Sequence, residues 1–482
     1  MKQFLKYCAV AFIGFLLGLI LLFIQQTNSR PNLETWHTIE LNAELTADTI
    51  YHLSNFEDYL KREADLFQEL AERVDITTAA PSAQGFNRYI KGSWSDPDRQ
   101  ETNWNKTFEM AVPSPMAGVL MLHGLSDSPY SMRSLAKSLH SKNAWVLGLR
   151  LPGHGTAPAG LTGVEWQDFT AAVRLAARYI KAKIGEDIPL YLVGYSNGAA
   201  LALEYTFSQM LGEQLPKPAG MVFISPAVQV SPLAAFARLN LYLASLPGLE
   251  KLAWLSIEQE YDPFKFNSFA LNAGDQIYQL TRRLKQQIKQ LARGNGIKNF
   301  PSTLAFQSIV DATIPPKAVV DSFFSHLSPN GHELVLFDIN RQAADVSLLK
   351  NDPLPLINEL FASQKPFTIS LLTNQEGARG KLEVRQKKAL SGNKTVEPLE
   401  LQWPRGVYSL SHVALPFNMS DPIYGSAELG INGRITLGSL EARGEKGVLQ
   451  APIADLMRLR YNPFYNYLEE QTVNWIIRDS GD

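Results

Sequence analysis

The sequence predicts an α/β fold in which a mostly parallel sheet is covered by helices on both faces. Apolar runs of strand length alternate with helical stretches along the chain, which is typical of this class. The runs are apolar throughout, as expected for strands that are buried on both faces. A third observation is that loops of small residues follow several of them directly. The predicted strands cover residues 118–123, 144–149, 189–194, 220–225, 302–310 and 333–337.

The chain begins with an apolar segment that predicts a membrane anchor. From Cys8 to Ile24 no charged side chain occurs, which is close to the minimum of about 17–25 residues for a spanning helix. Lys2 and Lys6 precede the run, so the N-terminus is expected in the cytoplasm and the rest of the protein in the periplasm or outside the cell. Residues 1–30 are therefore predicted to be a single-pass signal anchor, with residues 4–24 in the membrane. Cleavage after Ser29, which would release a soluble exported protein, is the alternative.

Composition excludes several classes of function. The 45 Lys and Arg residues are balanced by 47 Asp and Glu residues, for a net charge of −2, which argues against a nucleic-acid partner. Cys8 is the one cysteine, so the exported part is predicted to be stable without an intrachain disulfide. Neither a Cys/His cluster with metal-ligand spacing nor a G-x-G-x-x-G motif after a strand occurs. No metal and no cofactor is expected.

The remaining chain divides into an extension and a main domain. Residues 31–106 are predicted to form an extension with an amphipathic helix near residues 55–74, and residues 107–482 the main domain. Within it, Thr162 and Glu165 are predicted to form a capping box at the start of a helix. Two insertions are predicted, a cap at about residues 228–300 and a second one at about residues 341–405.

The cap carries a basic face on its second predicted helix. Both a solvated face and a contact with anionic lipid head groups fit this pattern. The basic residues are Arg282, Arg283, Lys285, Lys289 and Arg293.

Ser196 is the predicted nucleophile. It lies in Gly194-Tyr195-Ser196-Asn197-Gly198, directly after an apolar run and directly before a helical pattern. A sharp turn from strand to helix exposes a serine, and glycines at either side let the two elements approach closely. The alternative is a serine in a glycine-rich turn without a catalytic role.

The base and the acid are predicted from their order in the chain. In hydrolases with a G-x-S-x-G turn, the nucleophile comes first, the acid second and the histidine last. Among eight histidines, His412 lies near the C-terminus at a transition from strand to loop, although a surface turn would also fit. Asp311 follows the strand at residues 302–310 and is the predicted acid, with a helix-capping aspartate as the alternative. Asp338 is the second choice.

An oxyanion hole is predicted from two backbone N–H groups, those of Leu125 and Asn197. Leu125 lies in the loop His123-Gly124-Leu125 after the strand at residues 118–123, at the sheet edge where open α/β folds bind ligands. His123 precedes a glycine at the strand end and is expected to orient this loop.

These motifs resemble the α/β-hydrolase superfamily, and within it the monoacylglycerol-lipase and serine-aminopeptidase-like branch. The resemblance is carried, in order, by H-G-L-S-D-S-P-Y-S-M, L-P-G-H-G-T, G-Y-S-N-G, S-I-V-D and L-S-H-V-A-L-P-F, which begin at residues 123, 151, 194, 308 and 410. It implies an α/β-hydrolase fold with a Ser196, Asp311, His412 triad and oxyanion donors at Leu125 and Asn197. The distance in sequence between the acid and the histidine implies an insertion.

The sequence thus predicts a membrane-anchored serine hydrolase that cleaves an acyl ester or a lipid-like substrate. Peptidase and acyltransferase activities remain open because the triad does not determine the leaving group. A peptidase would need charged anchors for a peptide terminus, for which the sequence offers Glu258, Glu260 and Asp262. A binding protein on a silent hydrolase fold is the alternative from another functional class.

Overall fold

The structure is a computed structural model. It describes residues 2–74, 85–230, 237–292, 296–343, 347, 349–426, 437 and 457–478.

A ten-stranded sheet forms the centre of the protein, and seven consecutive strands in it are parallel. The strands lie in the order β1-β3-β2-β4-β5-β8-β9-β10-β11-β12, with β3 to β10 parallel and the strands at both ends antiparallel. The predicted mostly parallel sheet is confirmed. Its strands are β1 (Phe108–Met110), β2 (Ala117–Leu122), β3 (Ala144–Leu149), β4 (Leu190–Tyr195), β5 (Pro218–Ile224), β8 (Ser302–Ser308), β9 (Glu333–Phe337), β10 (Thr368–Asn374), β11 (Lys381–Lys387) and β12 (Lys394–Gln402); β6 (Trp254–Ser256) and β7 (Phe269–Ala270) form a separate hairpin.

Helices cover both faces of this sheet. The longer ones are α1 (Lys2–Asn28), α4 (Phe56–Arg73), α5 (Arg133–Ser141), α7 (Trp166–Ile184), α8 (Asn197–Met210), α10 (Leu271–Leu291) and α13 (Tyr465–Arg478). The shorter ones are α2 (Thr35–Thr38), α3 (Ala47–Tyr51), α6 (Gly160–Gly163), α9 (Ala237–Ala244), α11 (Pro316–Ser322) and α12 (Leu354–Ala362).

Alternate side chains of each central strand enter different cores. In β2, Leu120 and Leu122 pack with α7 and α8, whereas Val119 and Met121 pack with α5 and α13. Because successive side chains of a strand point to opposite faces, a strand that is covered on both faces must be apolar at every position. This explains why the core strands appear as continuous apolar runs in the sequence.

The extension at residues 31–106 is packed onto the edge of the sheet near β3. Arg150, which follows β3, is fully buried and pairs with Glu44 of the extension at 2.7 Å. The Tyr59 hydroxyl of α4 donates to the Arg150 carbonyl at 2.6 Å, and the Thr107 hydroxyl donates to Glu63 at 2.7 Å. Burial raises the pKa of Glu63, although the nearby Arg150 opposes this effect.

The extension also holds the cap, which includes α9, the β6–β7 hairpin and α10. His37 of α2 is hydrogen-bonded to Ser268 at 2.9 Å. The Arg88 N–H donates to the Glu260 carbonyl at 2.8 Å, and the Asn105 amide donates to the Pro263 carbonyl at 3.0 Å. These contacts tie the cap segment between β6 and β7 to the body of the protein.

Glu260 in this segment is fully buried, and its carboxylate accepts N–H groups from Asn267 at 3.0 Å and Ser268 at 2.8 Å. Burial raises its pKa to about 7, and these N–H groups and Arg88 limit the rise. The folded protein therefore binds this proton more tightly than the unfolded chain, in which the pKa is about 4.3.

We expect the free energy of unfolding to fall as the pH rises from about 4.3 to above 7, by up to about 4 kcal/mol from this group alone. Glu260→Gln should remove that part of the pH dependence in urea unfolding between pH 4.5 and 8. Glu400→Gln changes an exposed carboxylate of β12 and is the matched control. Equal pH dependence in wild type and Glu260→Gln would contradict the expectation.

The second insertion, at residues 341–405, continues the main sheet. After α12 the chain forms β10 beside β9, and then β11 and β12 extend the sheet to an exposed edge. Lys394, Glu397 and Pro398 lie on that edge strand, where charges and proline hinder pairing with another chain.

The N-terminal helix α1 ends next to the cap. Arg30 donates to the carbonyls of Lys251 at 2.6 Å and Trp254 at 2.7 Å, and the Lys251 ammonium donates back to the Arg30 carbonyl at 2.8 Å. Among the described residues, no helix combines the length and the hydropathy of a membrane span.

The basic face predicted on α10 lies at the surface. Arg282, Lys285 and Lys289 are exposed and Arg283 is half-buried, while Arg293 lies outside the described residues. Their exposure fits both alternatives, so a contact with anionic lipid stays a hypothesis.

Candidate active site

Ser196 lies on the turn between β4 and α8. Its backbone has φ of 51° and ψ of −111°, which places it in a left-handed region that non-glycine residues rarely adopt. The turn is held by a hydrogen bond from the Ser196 N–H to the Ile224 carbonyl at 2.9 Å. A strained residue that the surrounding structure fixes in this way is typical of a functional position.

The two glycines around Ser196 are required by close contacts. A Cβ atom on Gly198 would lie 2.0 Å from the Leu122 carbonyl oxygen, and one on Gly194 would lie 2.5 Å from Ala199 Cα. Neither neighbour can give way, since both are backbone atoms of core elements. The G-x-S-x-G pattern therefore has a steric cause in this structure.

The structure brings Ser196, His412 and Asp311 into one line of hydrogen bonds. His412 Nε2 lies 3.1 Å from Ser196 Oγ, and His412 Nδ1 lies 2.8 Å from Asp311 Oδ2. With Nδ1 protonated and donating to the carboxylate, Nε2 is free to accept the hydroxyl proton of the serine. All three side chains are buried or nearly so.

Asp311 is held as a carboxylate. Its other oxygen accepts the N–H groups of Thr313 at 2.8 Å and Ile314 at 2.9 Å, and Gln307 donates to Oδ2 at 2.9 Å. Burial alone would raise the pKa of Asp311, but His412 and these backbone N–H groups hold it below its ordinary value. The ionised form is the one that can orient and stabilise a protonated histidine.

The loop with His412 is fixed against the strand that carries the acid. The Ser308 hydroxyl of β8 donates to the Leu410 carbonyl at 2.8 Å, and the Asn340 N–H donates to the Tyr408 carbonyl at 2.8 Å. After β9 the chain forms α12, extends the same sheet with β10 to β12 and then returns to this point. In this way the residues between Asp311 and His412 are accommodated without separating the two side chains.

Asp338, the second choice for the acid, has other partners. Its carboxylate binds Arg341 at 2.6 Å and accepts the Thr373 hydroxyl at 2.7 Å. It lies one strand away from Asp311, at the end of β9.

Leu125 and Asn197 both border the cavity above Ser196. In the part of the chain that the structure describes, no hydrogen bond from either backbone N–H to another protein group is found. Asn197 is the first residue of α8, where N–H groups have no partner within the helix and favour negative charge. Their role as oxyanion donors stays a prediction.

The loop that carries Leu125 is clamped to the cap. The Phe266 N–H donates to the Ser126 carbonyl at 2.8 Å, and Lys265 pairs with Asp127 at 3.3 Å. Ser126 has φ of 62°, so this loop also holds a non-glycine residue in the left-handed region. The side chain of His123 links the start of this loop to the segment after β3. Its Nδ1 lies 2.9 Å from the Gly124 carbonyl oxygen, and its Nε2 accepts the Leu151 N–H at 3.1 Å.

A cavity of about 700 Å³ lies above Ser196 and His412, between the sheet and the cap. This volume is within the usual range for a small-molecule site. Its walls are mainly apolar and include Leu255, Phe269 and Ile277 of the cap. The cavity can therefore hold an apolar group beside the Ser196 hydroxyl.

Comparison with known proteins agrees with this architecture. The family model described as serine aminopeptidase, S33, matches residues 113–338, slightly less than half of the chain. The match covers β2 to β9, including the Ser196 turn and Asp311. This part of the chain has the α/β-hydrolase fold. The resemblance to the monoacylglycerol-lipase and serine-aminopeptidase-like branch is confirmed.

A curated relative supports the same branch over a shorter stretch. The chain is 31% identical over 118 residues to a thermostable monoacylglycerol lipase from Bacillus sp. (strain H-257). This match covers 24% of the chain and 44% of the Bacillus enzyme, less than half of that enzyme's length.

Solved structures show a distant likeness. One solved structure comes from work on two metagenome-derived lipolytic enzymes, LipS and LipT. It is 22% identical to this chain with a TM-score of 0.38, and the match covers 55% of this chain and 98% of the other. The monoacylglycerol lipase of Paleococcus ferrophilus has 20% identity and a TM-score of 0.36, and covers 48% of this chain and 88% of its own.

Three acidic residues of the cap were predicted as possible anchors for a peptide terminus. Two of them already bind groups of the protein itself. Glu260 is buried against backbone N–H groups, as described above. Asp262 is buried against Arg460 at 3.4 Å and accepts the Tyr424 hydroxyl at 2.5 Å. Glu258 lines a smaller cavity next to the site.

Sequence reasoning missed three basic residues near Ser196. Lys265 and Arg458 line the main cavity, and Arg460 lines the smaller one. The two arginines lie shortly before α13, far in sequence from every motif. No spacing signal links them to the G-x-S-x-G turn, so only the fold could reveal their position.

Proposed function

We propose that this α/β-hydrolase is a serine hydrolase that cleaves carboxylic esters with an apolar acyl chain. The observation that carries the proposal is the hydrogen-bonded line from Asp311 through His412 to Ser196 at the floor of an apolar cavity. The similarity to the Bacillus monoacylglycerol lipase supports an ester as the substrate.

In the proposed reaction, Ser196 Oγ attacks the ester carbonyl carbon while His412 Nε2 takes the hydroxyl proton. The Leu125 and Asn197 N–H groups stabilise the negative oxygen of the tetrahedral intermediate. His412 then gives its proton to the departing alcohol oxygen, and an acyl-enzyme remains on Ser196. Water, deprotonated by His412, hydrolyses this acyl-enzyme and restores the serine. Asp311 keeps the imidazole in the required tautomer throughout.

A chain-length series of p-nitrophenyl esters, from acetate to palmitate, tests the proposal on the full-length protein in detergent. Burial of each further methylene contributes about 0.8 kcal/mol, so kcat/KM should rise by up to about 15-fold per added pair of carbons until the cavity is full. A preference for acetate over octanoate would contradict the proposed acyl site. If none of the esters is hydrolysed in a Ser196-dependent way, the esterase activity itself is rejected.

A substitution of Asn197 tests whether hydrolysis depends on its backbone N–H alone or also on its side chain. Its carboxamide is buried, and among the described residues neither its Oδ1 nor its Nδ2 has a hydrogen-bond partner. Leaving such a group unpaired costs about 1–3 kcal/mol. Asn197→Leu should therefore raise the free energy of unfolding by about 1 kcal/mol and keep ester hydrolysis within about threefold, because the N–H group remains. A loss of more than about 100-fold in kcat would show that the carboxamide itself is needed.

A peptidase is the second candidate, and the family description favours it. Glu258 is the one residue of the acidic trio that borders a cavity beside the site. Glu258→Gln should then impair release of an amino-terminal residue from a peptide p-nitroanilide while ester hydrolysis continues. Equal rates for both proteins on that substrate would exclude this use of Glu258.

Attachment to a membrane through residues 4–24 remains part of the proposal. It is supported by the apolar sequence of α1 and by the exposure of its Phe4, Phe12 and Phe15 side chains. Recovery of the protein in the carbonate-resistant membrane fraction, and its loss from that fraction when residues 2–24 are deleted, is the expected result. Recovery of the full-length chain in the supernatant would contradict it.

A further inference from the structure

A second, smaller cavity opens beside the active site. It has a volume of about 200 Å³ and shares Ser126, Asp127, Lys265, Phe269, Val413 and Arg458 with the main cavity. The shared wall includes the loop after β2 and the residue that follows His412. A molecule whose ester group lies at Ser196 could therefore extend into both cavities.

The two cavities differ in chemistry. The main cavity is mainly apolar, whereas the smaller one is bordered by Lys265, Arg458 and Arg460, together with polar groups such as Tyr261 and Asn267. An apolar acyl chain is stabilised in the first cavity. The second cavity suits a small polar group, which in an ester is the alcohol part.

Most charges around the smaller cavity are already balanced. Lys265 pairs with Asp127 at 3.3 Å, and Arg460 pairs with Asp262 at 3.4 Å. Glu258 also borders the cavity and is engaged in an interaction of its own.

Arg458 differs from these residues. Its guanidinium donates to the Thr313 hydroxyl at 3.3 Å, and within the described residues no carboxylate lies within ion-pair distance of it. It is half-buried at the junction of the two cavities. A guanidinium presents several N–H donors in a plane and binds phosphate or carboxylate through two parallel hydrogen bonds.

We propose that the smaller cavity is a subsite for an anionic group on the alcohol part of the ester, and that Arg458 binds this group. The preferred substrates are then esters whose leaving alcohol carries a phosphate or a carboxylate. The inference rests on the proposed esterase activity, for which it names the substrate class. It also assigns to Arg458 a role in specificity.

The test compares three octanoyl esters below their critical micelle concentrations, with the full-length protein. 1-Octanoylglycerol is neutral, 1-octanoylglycerol 3-phosphate adds a phosphate to the same alcohol, and O-octanoylglycolate carries a carboxylate. Because a hydrogen bond to a charged group contributes more than a neutral one, wild type should show at least a tenfold higher kcat/KM for one or both anionic esters. The better of the two identifies the anion that the subsite accepts.

Arg458→Met should remove this preference, so that the ratio of anionic to neutral kcat/KM falls at least about tenfold. Arg458→Lys, which keeps the charge, should retain part of it. Arg379→Met, an exposed arginine in the turn between β10 and β11, is the matched control and should leave the ratio unchanged.

The outcomes separate the two proposals. Hydrolysis of p-nitrophenyl octanoate without a preference for either anionic ester, or a preference that survives in Arg458→Met, overturns the subsite and leaves the esterase intact. No Ser196-dependent hydrolysis of p-nitrophenyl octanoate overturns the esterase itself. If Arg458→Met does not fold, Arg458→Lys and the ester comparison in wild type still decide the question.

Discussion

Ser196→Ala is expected to lower kcat for p-nitrophenyl octanoate by at least about 10⁴-fold, because no other group can form the acyl-enzyme. The fold should be unaffected, since Ser196 is held by its backbone N–H and its hydroxyl is hydrogen-bonded only to His412 among the described residues. The measurement is steady-state hydrolysis at saturating ester, with the melting temperature as a check on folding.

Ser420→Ala, which changes an exposed serine in a loop, is the matched control for this variant. A Ser196→Ala protein that retains a tenth or more of the wild-type kcat would show that hydrolysis does not pass through this residue.

Asp311→Asn is expected to lower kcat by about 10⁴-fold. The amide can present N–H to His412 Nδ1, which favours the tautomer with the proton on Nε2 and so removes the acceptor for the Ser196 proton. The loss of a negative charge also leaves the protonated histidine without its stabilising partner. KM should change little, because Asp311 does not border the cavity.

The matched variant is Asp338→Asn, which changes the neighbouring strand-end aspartate. Asp338 binds Arg341 and Thr373, so its loss should reduce stability while kcat of the folded protein stays within about threefold. The opposite pattern, with Asp338→Asn inactive and Asp311→Asn active, would assign the acid to the end of β9.

The central strands could be predicted from sequence because burial on both faces leaves a plain signal. β2 and β4 are buried at every position, and their apolar runs predict strands at nearly the observed bounds. The Ser196 turn was predictable for a related reason. Gly194 and Gly198 have no space for a Cβ atom, so the spacing of the glycines reflects a steric requirement that is local in sequence.

Sequence patterns for helix capping were less reliable where a second residue nearby could also form the cap. The capping box predicted from Thr162 and Glu165 is wrong. The helix begins at Trp166 with Glu165 as its N-cap, and Asp168 accepts the Glu165 N–H at 2.7 Å. Asp168 also accepts the Ala47 N–H of the extension at 2.6 Å. A contact from a distant part of the chain thus stabilises the cap that is formed by Glu165 and Asp168.

Contacts between distant segments could not be predicted at all. The clamp between Lys265 and Asp127 and the position of Arg458 depend on how the cap, the β2 loop and the C-terminal segment meet. None of these residues belongs to a local pattern. The same holds for the extension, whose contacts with the cap through His37 and Asn105 have no signature in sequence.

Labelling with a fluorophosphonate probe tests most directly whether Ser196 is an activated nucleophile. The probe is added to the folded full-length protein, and the modified residue is located by mass spectrometry of its peptides. We predict stoichiometric phosphonylation of Ser196 in wild type and labelling at least about 100-fold slower in His412→Ala. Absence of labelling in the folded protein, or modification of another serine, would contradict the proposed catalytic site.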